Sequence, residues 1–281
     1  MKSNRRNFLK LSGAGMAAFA LPGIATSAPV ADKKPGKFPV RLGLASYTLR
    51  KMSLEDALAV CRRMDIKYIS LKDFHLKLNA TDAEIADAVK KCKDAGIEIN
   101  SGGVIYMKSE ADVDNAFEYA RKAGMGTIIG VPQHEFLPYV EKKVKEYNIR
   151  VAIHNHGPGD KVYPSCESAY VLIKNMDKRM GLCLDIGHTQ RIGRDPSADL
   201  KDYFDRIFEV HMKDETASDP SGKPLEIGHG VIDIPGFLKT ILKLKYSGIL
   251  SFEYEKDADD PVPGLAESVG YVRGALAVLN S

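Results

Sequence analysis

Residues 149–160 read IRVAIHNHGPGD. An apolar run of the kind found in buried strands stops at His154, Asn155 and His156, then turns at Gly157 and Pro158. Side chains alternate across a strand, so Val151, Ile153 and Asn155 share one face and Ala152, His154 and His156 the other. The same parity recurs in the next three strand-like runs. In GLCLDIG (181–187), Leu182, Leu184 and Ile186 oppose Cys183 and Asp185. In IFEVHMKD (207–214), Phe208, Val210 and Met212 oppose Glu209, His211 and Lys213. In GILSFEYE (248–255), Leu250, Phe252 and Tyr254 oppose Ser251, Glu253 and Glu255. One face of each run is almost wholly apolar, and the other carries an ionisable group toward the strand's C-terminal end.

Upstream, VRLGLAS, KYISLK, IEINSGGVI and TIIGVP are four more strand candidates, and amphipathic segments separate all eight. Ser53 with Asp56, Thr81 with Glu84, and Asp233 before Pro235 mark helix starts. Gly96, Gly124 and Gly248 stand where a left-handed C-cap is wanted. No GxGxxG or GxxxxGK[ST] turn is present, which argues against an open nucleotide-binding sheet. Eight βα units predict an α/β fold: a single-domain (β/α)8 TIM barrel over residues 40–281.

In such a barrel the C-terminal strand ends form the active-site mouth. The parity therefore brings His154, Asp185, His211 and Glu253 together. Two imidazoles and two carboxylates suit one divalent ion of the Mn²⁺, Co²⁺, Fe²⁺ or Zn²⁺ type better than Ca²⁺ or Mg²⁺. His156 shares the face of His154. In YISLKDF, Tyr68, Ser70 and Lys72 share a face that aims Lys72 into the mouth, and Lys213 shares the face of His211. A lysine beside a cation is expected to have a lowered pKa and to serve as acid or base. His75, His134 and His229 fall in loops and read as surface or rim residues; Asp160 and Glu255 are weaker candidates.

GLCLDIGHTQRIGRDP, VHMKDE and GHGVIDIPGFLKTILKLKYSGILSFEYE, in this order, resemble the sugar phosphate isomerase/epimerase group of the xylose isomerase-like TIM barrels. Its relatives include the D-tagatose 3-epimerase type and the apurinic endonucleases. The resemblance runs over roughly residues 40–280. It implies Asp185, His211 and Glu253 as metal ligands, Glu253 also as an acid/base group, and His188 as a contact to substrate oxygens. It implies a metal-dependent carbohydrate enzyme that abstracts a proton next to a carbonyl. One position departs from it: where the relatives have a glutamate that is both ligand and second acid/base group, this chain has His154. A metal-bound imidazole has no free lone pair, so a β-eliminating lyase of 3-keto-glycosides, which needs one base, is the alternative reading. A non-catalytic periplasmic sugar-binding protein is a further one.

The N-terminus reads as an address. Arg5 and Arg6, an apolar stretch short of the roughly 20 residues that span a bilayer, and small residues at TSA predict a twin-arginine export signal over 1–28. A flexible lead-in follows over 29–39. The expected location is the periplasm, with no stable membrane insertion once the signal is removed. A sugar phosphate is scarce there, so a free sugar or glycoside is the expected small-molecule partner. Net charge is only +3 of 281 residues, with acids and bases interspersed, which argues against a nucleic-acid partner and so against an endonuclease. A homo-oligomer is left open. The four cysteines form no CxxC pair and read as small buried hydrophobes.

Overall fold

The computed structural model describes residues 39–281; the stretch expected to be an export signal and most of the expected lead-in lie outside the described residues. Eight strands close into one parallel barrel: β1 (Arg41–Ala45), β2 (Tyr68–Leu71), β3 (Glu98–Met107), β4 (Thr127–Pro132), β5 (Arg150–His154), β6 (Met180–Asp185), β7 (Ile207–Met212) and β8 (Ile249–Phe252). Consecutive strands are neighbours, and β8 closes on β1 through Leu42↔Leu250 and Leu44↔Phe252. The expected (β/α)8 architecture is the one observed.

Helices α1 (Leu54–Arg63), α2 (Asp82–Asp94), α3 (Glu110–Lys122), α4 (Leu137–Tyr147) and α5 (Cys166–Ile173) cover the first five strands. Helices α6 (Ile186–Arg191), α7 (Pro196–Asp202), α8 (Ile234–Leu244) and α9 (Val262–Leu279) follow. The caps explain where several begin. The Ser53 hydroxyl accepts from the Asp56 N–H, Thr81 and Glu84 form a reciprocal box, and the Asp233 carboxylate accepts from Gly236. Gly96 and Gly124 take left-handed conformations as expected, but α8 ends on Lys245 at φ 52° instead of Gly248. Lysine tolerates this region at modest cost, so the glycine is not what stops that helix.

The main core lies between strands and helices, where Leu182, Leu184, Val210, Met212, Leu250 and Phe252 are fully buried. Inside the barrel a small apolar cluster of Ile129, Ala152 and Cys183 is buried, with Val104 and Phe208 packed against it. Other inward positions are polar. Glu209 sits there on hydrogen bonds from Asn100 (2.9 Å), Ser101 (2.7 Å) and Ser251 (2.5 Å). Phe208 does not join the outer core with Val210 and Met212. Leu182 pairs with Ile207 and Cys183 with Glu209, so Phe208 is the extra residue of a bulge and packs against the inner trio.

Candidate metal centre and active site

Asp185 is the last residue of β6 and the N-cap of α6. Its Oδ1 accepts the His188 N–H at 2.8 Å. The Asp-x-x-His spacing is therefore a capping motif: one carboxylate oxygen is spent on the helix and the other is left facing the mouth. Asn155 fixes the carrier strand from outside the barrel. Its Oδ1 accepts from Asp185 N (2.9 Å), and its Nδ2 donates to Asp185 O (3.3 Å) and Thr189 Oγ1 (3.2 Å). Sequence parity grouped Asn155 with the apolar residues of β5; only its buried partners on β6 and α6 reveal its role.

His154, Asp185, His211 and Glu253 each present one donor atom, all within 4.8 Å of one another and all buried. His154 Nε2 lies 3.1 Å from His211 Nδ1 and 3.4 Å from Asp185 Oδ2, and His211 Nδ1 lies 3.0 Å from Glu253 Oε2. Asp185 Oδ2 is buried without a hydrogen-bond donor in good geometry, although Lys213 Nζ is 2.9 Å away. Two imidazole nitrogens and two carboxylate oxygens aimed at one point fit a divalent cation. Cys183 also lies within reach of both histidines.

Electrostatics agree with three of the four donors. Burial would lower His211, but Cys183 and Glu253 outweigh it and raise it well above the ordinary imidazole value, so a cation must displace that proton before His211 can ligate. Burial drives His154 down to about 3 against the pull of Asp185, leaving a neutral ring with a lone pair. Burial alone would push Asp185 and Glu253 up. His188 and Lys213 reverse this for Asp185, and His211 and Lys213 for Glu253, so both stay ionised.

The other expected residues also reach the mouth. Lys72, Lys213, His156 and His188 line a cavity of about 290 Å³ with His154, Glu253 and Tyr47. Burial lowers Lys72, with Glu253 partly opposing, and Lys72 Nζ donates to Val104 O at 3.4 Å. Lys213 behaves in the opposite way to the lowered pKa expected of it. Burial would depress it, but Asp185, Glu253 (both carboxylate oxygens at 2.9 Å) and Glu255 outweigh that, and it is held as an ammonium. His188 is lowered to about 4 and His156 is lowered too, each chiefly by burial, so both rings are neutral near pH 7. His156 Nε2 is 3.2 Å from the Tyr106 hydroxyl.

His75 is buried, not a rim residue. His134 contacts the Val162 carbonyl at 3.0 Å, and His229 is exposed and pairs with Glu267, so neither enters the mouth. Asp160 caps its own turn at Val162 and Tyr163. A larger cavity of about 510 Å³ opens at the opposite end, among Arg41, Arg150 and Tyr246. The four-donor cluster is not there, and the chemistry is assigned to the smaller one.

Fold and site together define a closed (β/α)8 barrel with a four-donor cluster at the C-terminal ends of β5 to β8. Residues 58–275 match the xylose isomerase-like TIM barrel, and the chain belongs to that family. It is 35% identical over 97 residues to SgbU of Escherichia coli (strain K12), named as an L-ribulose-5-phosphate 3-epimerase, a match covering 33% of this chain and 34% of SgbU. The chain spans less than half the length of the curated relatives it matches. Among solved structures it is similar to the IolI protein with a bound zinc atom (TM-score 0.70, 16% identity, 86% of this chain and 98% of that one). It is also similar to AsbF of Bacillus anthracis, named as a 3-DHS dehydratase of petrobactin synthesis (TM-score 0.68, 14% identity, 83% and 99%).

Proposed function

We propose that the protein is a divalent-metal-dependent carbohydrate enzyme that removes a proton from the carbon next to a sugar carbonyl. The observation that carries this is the convergence of His154, Asp185, His211 and Glu253 at the barrel mouth. A zinc atom in the similarly folded IolI and the epimerase name of SgbU support it. His154, Asp185, His211 and Glu253 would hold the ion, which when bound supplies Lewis-acid stabilisation of charge developing on substrate oxygens. Lys213 positions Asp185 and Glu253 by bridging both carboxylates. His188 and His156, neutral and facing the cavity, would bind substrate hydroxyls. Lys72, across the mouth with its ammonium disfavoured by burial, is the group assigned to take the proton.

Isomerisation or epimerisation is the default. Epimerisation must return a proton to the opposite face, and the glutamate that relatives use is replaced by His154, whose Nε2 faces the donor cluster. That substitution favours a second reading, β-elimination from a 3-keto-glycoside. The C2–H electrons form the C1=C2 bond, the C1–O bond breaks, and the aglycone oxygen takes up a proton. The dehydratase name of AsbF, itself an elimination, makes this compatible with the fold. Export to the periplasm through Arg5 and Arg6 is part of the proposal. The deciding experiment is a panel of free ketoses and 3-keto-glycosides followed by NMR in D₂O with metal-loaded protein. Aglycone release with exchange at carbon two is expected. Rapid ketose epimerisation without any release would return the protein to the epimerase reading, and no turnover of any member would leave a sugar-binding protein.

A further inference from the structure

The mouth of the barrel is divided. All its ligand-type side chains come from β5 to β8 and the turns after them. The side formed by β1 to β3 carries aromatic rings instead: Tyr47 after β1, Phe74 after β2 and Tyr106 at the end of β3. Phe74 is 53% exposed and Tyr106 49%, and among the described residues both are more open to solvent than Tyr271. Tyr47 and Phe74 pack with centroids 6.0 Å apart, and Tyr106 stacks on His156 at 5.8 Å with 27° between the planes. Lys72 sits between, its Nζ 5.6 Å from the Tyr47 centroid. Tyr47 and Tyr106 line the cavity, and Phe74, outside that lining, adjoins it through its packing on Tyr47.

Apolar rings held in water at a ligand mouth gain free energy when another flat surface covers them, and aromatic pairs gain more than their buried area alone supplies. The cavity, at about 290 Å³, is at the small end of ligand sites, which start near ~300 Å³, so the aromatic surface extends past the space for a single sugar ring. We infer that Tyr47, Phe74 and Tyr106 form a subsite for a planar aromatic aglycone, so that the substrate is an aryl glycoside with its sugar toward the four-donor cluster. This deepens the proposed function and rests on its assignment of the mouth as a sugar site.

The test is binding of unoxidised glucosides to the metal-loaded full chain, measured by titration calorimetry and by saturation-transfer NMR, alongside the turnover panel. A phenyl glucoside is expected to bind at least about tenfold more tightly than methyl glucoside, with saturation strongest on the aromatic protons. Phe74→Ala should bring that ratio down severalfold while leaving methyl glucoside affinity unchanged, and Tyr47→Ala should bring it down as well. Equal affinities in the wild type, a ratio indifferent to both substitutions, tighter binding of a disaccharide than of the phenyl glucoside, or no measurable binding of either glucoside would overturn the inference. A retained aryl preference with no turnover of any keto sugar would uphold the subsite and overturn only the reaction.

Discussion

Lys213 shows how much of this site depends on a single charge. Two buried carboxylates face one another across its ammonium, and removing one member of such a set costs about 3–5 kcal/mol. Lys213→Met is therefore expected to lower the melting temperature of metal-stripped protein strongly, and added Zn²⁺ or Mn²⁺ should restore more of the loss than it adds to the wild type. Equal metal responses of the two proteins in calorimetry would contradict this. Glu215, missed in the sequence, is buried beside Lys213 with Oε2 unpartnered, and burial followed by Asp185 raises it to about 7. A carboxyl raised on folding is protonated more readily in the native state, so its contribution to stability is lost as pH rises from its ordinary value near 4.5 to about 7. Glu215→Gln should stabilise metal-free protein at pH 8 by on the order of 1–3 kcal/mol relative to its effect at pH 4. Denaturant melts at the two pH values measure it, and an equal effect at both would show that Glu215 ionises freely.

At the level of elements, the site depends on how β5, β6 and α6 are joined. Asn155 makes three hydrogen bonds across that junction, two of them to the backbone of Asp185. Asn155→Ala strands buried backbone groups and is expected to cost about 2–3 kcal/mol and to weaken metal binding by about 10-fold or more, since groups behind a ligand orient it. Unchanged affinity by metal-competition titration would show that Asp185 is positioned without it. The turns are equally constrained. Gly157 has φ 76°, and a Cβ there would sit 3.0 Å from the His188 carbonyl oxygen; a Cβ on Gly187 would meet Glu215 Oε1 at 2.7 Å. Gly187→Ala must push Glu215 or Lys213 aside, so it should lower both stability and metal affinity, whereas alanine at Gly124, which has open space around it, should show only the strain of its backbone.

For the molecule as a whole, the barrel packs its metal-type donors and its core through different surfaces, so a bound metal would be an additive contributor to stability. A ligand that binds only the native state at 100 times its Kd contributes about 2.7 kcal/mol. Chelation should therefore lower the melting temperature by several degrees and abolish activity, and Asp185→Ala should remove the response to chelator. Among the described residues no helix is long and apolar enough to cross a membrane. If Arg5 and Arg6 are the export signal, Arg5→Lys with Arg6→Lys should leave the protein in the cytoplasm, because that route reads the pair itself; unchanged export on fractionation would point to another route.

The barrel was legible from the chain because strand parity is local: inward and outward positions in VAIH, LCLD, EVHM and LSFE are fixed by a two-residue period, whatever packs against them. The same period placed His154, Asp185, His211 and Glu253 on one face each, and helix caps such as Thr81 with Glu84 followed from spacing alone. What the sequence could not contain is the set of distances between residues far apart along it. Lys213 stays an ammonium despite its burial only because Asp185, Glu253 and Glu255 arrive from two other strands. Asn155 is a clamp only because β6 lies beside β5, and Phe208 leaves the outer core only because a bulge shifts the β6–β7 register. Each depends on charge, burial and register summed over segments that meet only in the closed barrel.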